Sequence, residues 1–239
     1  MRFLDLTLPS LAENLALDEA LLDTAEADGA NQETLRLWES PEVAVVLGRA
    51  SRRADEANLA ACELDGVPVV RRTSGGCAVV IGPGCLMYSA VLSYELRAAL
   101  RMLDQAHRFV MQRLQSALAS QLDHVAYQGT CDLTWQGRKF SGNSLRCKRS
   151  HLLYHGTILY GFPLELAERY LRRPPREPDY RQGRSHEAFI TNVPVDPARL
   201  RDSLHAAFAA HEPLEPWPRD LTQQLVEKRY RQPSWHAER

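Results

Sequence analysis

Three things are scarce in this 239-residue chain, and each absence narrows what it can be. Cys62, Cys77, Cys85, Cys131 and Cys147 are an odd number of cysteines with no Cys-x-x-Cys pair, which argues for reduced thiols over a disulfide framework or a zinc knuckle. Net charge is small, at -1 with 44% apolar residues, so the chain is neither disordered nor a bulk polyanion binder. No window approaches the roughly 18 uninterrupted apolar residues of a membrane span. Met1-Arg2-Phe3-Leu4-Asp5 also meets an acid before an apolar leader could form. A cytoplasmic protein with no membrane partner is the expectation. Neither repeats nor a shift in composition divides the chain, so one domain over 1–239 is expected.

Apolar positions Leu11, Leu15, Leu17, Leu21 and Leu22 recur at helical spacing over 11–26, with Ser10 as N-cap and Asp18 and Glu19 on the other side. Strand-forming runs follow at 35–38 and 43–47, a helix at 53–64, and short strands at 67–72, 78–81 and 86–92 punctuated by glycine turns. Residues 95–122 predict one long amphipathic helix. Strands at 125–127, 132–135, 139–141 and 152–160 and a helix at 163–171 come next. The Pro-, Arg- and Gly-rich stretch 173–187 reads as a mobile surface loop, and helices at 196–210 and 219–230 close the chain.

Two small-residue segments invite chemistry. In Arg71-Arg72-Thr73-Ser74-Gly75-Gly76, glycines let backbone amides face a ligand without a Cβ in the way. Strand alternation turns one of the two guanidiniums inward, where a charge needs a partner. Around Lys139, a two-residue turn at Gln136-Gly137 would pair Trp135 with Arg138 and Thr134 with Lys139. Lys139 then shares a face with Asp132 and Ser141, while Cys131, Leu133 and Phe140 lie on the other. Cys147, His151 and His155 have a metal-like spacing of four, but the flanking strand pattern scatters them, and no metal site is expected. The basic clusters at 138–149 and 172–184 lack aromatic interleaving, which points to an acidic protein partner and away from nucleic acid.

Taken in order, these segments resemble the lipoate-protein ligase and octanoyltransferase family, which shares its fold with biotin protein ligases. The resemblance is carried by Asn14-Leu15-Ala16-Leu17-Asp18-Glu19-Ala20, Val46-Leu47-Gly48-Arg49, Arg71 to Val79, Asp132-Leu133, Gly137 to Ser144, His155-Gly156-Thr157 and Ile190-Thr191-Asn192-Val193. It implies an α+β fold, a biotin/lipoate protein ligase-like catalytic domain with mixed, mostly antiparallel sheets flanked by helices. It further implies that Lys139 is the catalytic lysine on the activated carboxyl and the adjoining phosphate. Arg71, Ser74, Gly75 and Gly76 would line the acyl tunnel, and Asn143, Ser144, His155, Gly156 and Thr157 would complete the pocket. Val70, Val79 and Leu86 are the expected apolar walls.

The implied activity is attachment of a lipoyl or octanoyl group to a lysine of a lipoyl carrier domain, either the glycine-cleavage H protein or a 2-oxoacid dehydrogenase E2. A ligase would use ATP and Mg2+ and form lipoyl-AMP; an octanoyltransferase would need no cofactor and would take its acyl group from acyl carrier protein through a cysteine. Departures bear on the choice. Ile81-Gly82-Pro83-Gly84-Cys85 stands where the ligases have His-Asp-x-Gly-Asn, Cys131 stands where they have Asn, and Cys77 replaces a third glycine. No C-terminal accessory domain is expected, so a ligase would need a separate accessory protein. The transferase cysteine is absent from 120–125 and from the loop around Arg184 to Ile190, which leaves Cys131, usable only if the hairpin is bulged. A non-catalytic acyl-binding homologue is the third reading.

Overall fold

A computed structural model describes residues 1–29 and 32–237. The elements run β1 (Arg2–Asp5), α1 (Leu11–Asp28), β2 (Thr34–Glu39), β3 (Ala44–Leu47), α2 (Arg53–Glu56), α3 (Leu59–Leu64), β4 (Val69–Arg71), β5 (Val79–Ile81) and β6 (Cys85–Ser93). There follow α4 (Leu103–Leu118), β7 (Ala126–Gln128), β8 (Asp132–Trp135), β9 (Arg138–Cys147), β10 (His151–Leu159), α5 (Glu165–Tyr170) and α6 (His186–Phe189). The last are α7 (Pro197–Phe208), β11 (Glu212–Pro213), α8 (Arg219–Leu225) and α9 (Pro233–Ala237).

Eight strands form one sheet in the order β11-β1-β2-β6-β10-β9-β8-β7, and three form another, β4-β3-β5. Pairing is mostly antiparallel, with β1 parallel to β2 and β11, and β3 parallel to β4. This is the mixed, helix-flanked architecture expected.

β6 and β10 pair at the centre of the large sheet and are buried along their whole length, which explains their near-continuous apolar sequences. Tyr88, Leu92, Leu152 and Tyr154 face Val110, Leu114, Leu118, Leu200 and Leu204 of α4 and α7. On the opposite face Val91 and Leu153 meet Leu17, Leu21 and Leu22 of α1. Each such leucine contributes on the order of 1.5–3 kcal/mol on burial. No helix among the described residues is long and apolar enough to cross a membrane.

Helix α1 starts on the expected cap, with Ser10 and Glu13 exchanging side-chain-to-backbone bonds, and stops at Gly29 in the left-handed region. Its polar side does not face water. Asn14, Asp18 and Glu19 are buried because elements pack on both sides of the helix.

Three predicted helices are interrupted. The 53–64 helix divides where Ala57 bridges to Leu171 and Asn58 caps α3. The 95–122 helix divides at Met102, whose extended backbone separates a 3-10 turn at Ala98–Arg101 from α4. The 219–230 helix widens into a π turn over Val226–Tyr230, which brings Arg229 and Tyr230 onto Glu19.

Glu19 is thereby a hub. Its carboxylate accepts from Tyr230 at 2.8 Å, Arg146 at 2.9 Å and Thr73 at 3.2 Å, and pairs with Arg229. Burial alone would push this carboxyl up, but the Arg229 and Tyr230 hydrogen bonds and the Arg229 and Arg146 charges hold it below its ordinary value. A group depressed on folding stabilises the fold above its unfolded pKa of about 4.3 and loses that contribution as pH falls through the folded value. Arg229 and Arg146 are about a third exposed, which discounts the loss expected from Glu19→Ala to roughly 3 kcal/mol at pH 7 in urea titrations. The gap from wild type should shrink as pH drops below about 4; equal midpoints at pH 7 would dismiss the hub.

Candidate functional site

A cleft of about 450 Å³ lies between the small sheet and strands β9 and β10 of the large one, within the usual range for small-molecule sites. Leu15, Val46, Val79, Met87, Leu159 and Phe162 supply apolar wall, and Arg72, Lys139, Asp132 and His155 supply polar groups. Of the expected walls Val79 is present. Val70 packs beside the small-sheet core and Leu86 sits in the large-sheet core, because strand phase turns both away from the cleft.

The glycine segment is not a hairpin. β4 and β5 flank β3 on opposite sides, so residues 72–78 cross the C-terminal end of β3. Arg49 N donates to Ser74 O at 2.7 Å, and a Cβ on Gly48 would stand 1.8 Å from Gly76 O. Only a glycine permits that approach.

The two arginines part ways. Arg72 turns into the cleft, donating to Val46 O at 3.1 Å, Cys77 O at 3.1 Å, Ser74 Oγ at 3.0 Å and Gly75 O. Burial lowers its pKa to about 10, so it stays charged at neutral pH. Arg71, expected on the acyl tunnel, points the other way. It donates to Gly48 O and Ser51 O at 2.8 Å and to Trp235 O at 3.1 Å, while its backbone N–H reaches His236 Nδ1 at 3.1 Å. It fastens α9 behind the glycine segment.

Ser74 and Gly75 also lie behind the cleft wall, whereas Gly76 reaches it. Ser74 Oγ is 2.5 Å from His155 Nε2, and Gly75 O accepts from Ser144 Oγ at 2.9 Å. His155 Nδ1 in turn is 3.8 Å from Asp18 Oδ2. Burial would raise the Asp18 carboxyl, yet Arg36, His155 and Ser89 together hold it low.

The β8–β9 turn forms as expected, with Gln136 and Gly137 both left-handed and Thr134 and Trp135 opposite Lys139 and Arg138. The register then shifts. Leu133 pairs with Ser141 and Asp132 with Gly142, leaving Phe140 as the extra residue of a bulge.

Lys139 lines the cleft with its Nζ 2.8 Å from Asp132 Oδ1. Its chain lies across Gly142, where a Cβ would be 2.8 Å from Nζ. Cys131, expected to face away, lines the cleft instead because of the bulge, and its Sγ donates to Asn143 O at 2.9 Å. Burial and the Asp132 charge push its pKa to about 11, with Lys139 pulling partly back.

Asn143 holds this arrangement. It donates to Cys131 O at 2.7 Å and Ser141 Oγ at 3.1 Å and accepts from Tyr88 at 2.5 Å. Gly156 makes room for it, since a Cβ there would meet Asn143 Oδ1 at 1.8 Å. Thr157 Oγ1 accepts from Gly142 N at 3.4 Å. Lys139, Gly76, Asn143, Ser144, His155, Gly156 and Thr157 therefore converge on one cleft.

The stretch read as a mobile loop is a folded strap across the cleft mouth, with a 3-10 turn at Asp179–Arg181 leading into α6. Arg181 is buried, 3.3 Å from Glu177 and stacked 4.9 Å over Phe189. Composition marks this stretch as surface; only the Arg–aromatic spacing hints that it packs. Asp18, Tyr88 and Tyr180 likewise give no sign of a site role in the sequence, each having the character of an ordinary surface or core position.

Arg72 and Lys139 set positive charge beside an apolar slot, an arrangement chemically complementary to an anionic head on an apolar tail. The chain belongs to the lipoyl protein ligase A/B catalytic domain family, whose model matches residues 10–203. A relative named "Probable lipoate-protein ligase A" from Mycoplasma pneumoniae is 30% identical over 158 residues, 66% of this chain. The chain covers 45% of that protein, less than half its length. Octanoyltransferase LipM of Brevibacillus brevis is 25% identical over 266 residues, 96% of each chain. Among solved structures, the bi-partite lipoate protein ligase of Thermoplasma acidophilum, described with its E2 lipoyl domain, superposes with a TM-score of 0.81 at 20% identity, covering 99% of this chain and 95% of that one. A lipoate-protein ligase A bound with ATP gives 0.78 at 20% identity, covering 99% and 98%. Both structural likenesses show the fold.

A thiol with a pKa near 11 is almost wholly protonated at neutral pH. Iodoacetamide labelling of Cys131, followed by peptide mass, should be slow at pH 7.5 and rise about tenfold per pH unit up to pH 10. Fast labelling at pH 7.5 with a plateau above it would show an activated thiolate instead.

Proposed function

We propose that the protein attaches a lipoyl or octanoyl group to a lysine of a lipoyl carrier domain, working as an ATP-dependent lipoate-protein ligase through lipoyl-AMP. The observation that carries the reading is the Lys139 ammonium, fixed by Asp132 inside a cleft with an apolar slot. The acid's carboxylate attacks the α-phosphorus of ATP and pyrophosphate leaves. The acceptor lysine amine, having lost a proton, then attacks the acyl carbon, forming the amide and releasing AMP. Lys139 is a point-charge donor for the carboxyl and α-phosphate oxygens in both steps. Arg72 adds a second fixed cation at the cleft wall.

The segment Ile81 to Cys85 contributes nothing polar to a nucleotide, since Ile81 and Cys85 are in the core and Gly84 packs on Gly161. Arg172 and Arg176 of the strap, both lining the cleft, are the phosphate partners in this reading. Among the described residues no group of three or more His, Cys, Asp or Glu is placed to hold a metal ion. No step is therefore assigned to protein-bound Mg2+, and an ion carried on the triphosphate needs no such cluster. Acceptors of this reading are the glycine-cleavage H protein or a 2-oxoacid dehydrogenase E2, with a separate accessory protein as a further partner.

The second reading is octanoyl transfer from acyl carrier protein through a thioester on Cys131. The bulge favours it by placing the thiol in the cleft, and the raised pKa opposes it. Incubation with a lipoyl domain, lipoate and ATP should give the acylated domain, and omission of ATP should abolish it. Lys139→Ala should lower the rate by at least about a hundredfold, while Cys131→Ser keeps most of it. ATP-independent transfer from octanoyl carrier protein, lost in Cys131→Ser and passing through a hydroxylamine-labile adduct, would overturn the ligase reading.

A further inference from the structure

Asp132 uses both of its oxygens. Oδ1 takes the Lys139 ammonium of β9 at 2.8 Å, and Oδ2 takes the Tyr180 hydroxyl of the strap at 2.7 Å. One carboxylate thus joins the reactive cation to the segment that covers the cleft. The sequence places these groups 41 residues apart, and nothing in the composition of 172–190 marks Tyr180 as special.

The seat of Tyr180 is shaped for it. Gly129, in the turn before β8, is left-handed, and a Cβ there would come within 3.3 Å of the Tyr180 ring and 3.5 Å of Pro178. Phe189 packs on the other side with ring centroids 5.2 Å apart. Arg184 ties the same stretch down, donating to Tyr180 O at 2.7 Å and to Gly137 O at the β8–β9 turn at 3.1 Å. Burial and the neighbouring Asp132 charge push the phenol well above its ordinary pKa, so it remains a donor at neutral pH.

We propose that Tyr180 is a positioning residue for the acyl-activation step: its hydroxyl sets the rotation of Asp132, hence the direction of Lys139, and does so only while the strap lies over the cleft. This rests on the ligase reading for its kinetic consequence, but the coupling itself is a property of the folded chain. A carboxylate held at one oxygen swings about its bond to Cβ, whereas one held at both cannot. With the hydroxyl gone, Lys139 would keep its charge and its partner but lose its fixed direction. An orientation loss of this kind is read in kcat, because aligned donors matter most where charge develops.

The test uses the full chain as wild type, Tyr180→Phe, Asp132→Asn, the double variant and Arg184→Ala. In ligand-free protein, Tyr180→Phe should speed amide exchange of residues 172–190 by about tenfold with the urea midpoint little changed, and should raise the reductive-methylation rate of Lys139 severalfold. In the lipoyl-AMP assay it should lower kcat by about tenfold, the worth of a hydrogen bond to a charged group, with the KM for lipoate within about twofold. In the Asp132→Asn background the same change should have little further effect. Arg184→Ala, which loosens the strap that carries Tyr180, should lower kcat and speed Lys139 methylation in the same direction as Tyr180→Phe, and an unchanged kcat alongside faster strap exchange would count against the coupling.

Unchanged strap exchange and Lys139 methylation in Tyr180→Phe would overturn the proposal. So would multiplicative kcat losses in the double variant. A wild-type protein that makes no lipoyl-AMP would sink the ligase reading alone, since exchange and methylation still decide whether Tyr180 orients Lys139.

Discussion

A Cβ on Gly48 would stand 1.8 Å from the Gly76 carbonyl, and a Cβ on Gly156 would stand 1.8 Å from Asn143 Oδ1. These two close approaches build the cleft from its two sides. At the first, backbone passes over the end of β3 with no side chain between, which carries Arg72 into the cleft and leaves its guanidinium among carbonyl oxygens. At the second, Asn143 sinks against β10 far enough to bond Cys131 O and Tyr88 together. That bond sustains the bulge between β8 and β9, and the bulge brings Asp132 and Cys131 to the same cleft as Lys139. Asp132, which holds the Lys139 ammonium, is thus brought into place by contacts made elsewhere on the strand pair.

Charge burial around this frame is organised in layers. Asp18 and Arg36, both buried and 2.6 Å apart, stand beneath His155; Arg36 also donates to Asn14, and Asp18 also accepts from Ser89. Glu19, one residue on, gathers Arg146, Arg229, Tyr230 and Thr73 from three separate parts of the chain. Removing one member of such a group leaves an uncompensated buried charge, which is far costlier than the pair is stabilising. Consecutive acids on α1 therefore do different jobs. Asp18 supports the histidine behind the glycine segment, and Glu19 clamps the C-terminal π turn onto the same segment from outside.

Much of this was legible in the residues. The capping box of α1, the two-residue turn at Gln136-Gly137 and the opening register of the hairpin follow from local chemistry, and local chemistry is what sequence displays. What escaped depends on long-range partners. Alternation at Arg71-Arg72 says that the two side chains diverge, not which one meets the cleft, because the choice is made by α9 more than 160 residues later. The bulge adds one unpaired residue, Phe140, whose apolar character suits either register. Asp18 and Glu19 have the polarity of a solvated helix face, and only the elements packed over them turn that face inward. The strap has the composition of a loop and yet buries Arg181 on Phe189.

The placement of Cys131 next to Lys139 bears on how the proposed reaction avoids a side path. An acyl-adenylate is an electrophile, and a thiolate beside it would intercept the acyl group before an acceptor lysine arrives. Burial and Asp132 already hold the Cys131 thiol protonated, and Lys139 is the first cation to oppose them. A carboxylate or phosphate bound to Lys139 would cancel that opposing charge and raise the thiol further. The free acid and its adenylate would therefore make the cysteine more inert while they occupy the site. A neutral thioester donor would leave Lys139 with Asp132 as before and the thiol no higher than about 11. In the proposed reaction an anionic acyl substrate would thus suppress the cysteine beside it by the same binding event that activates the acid.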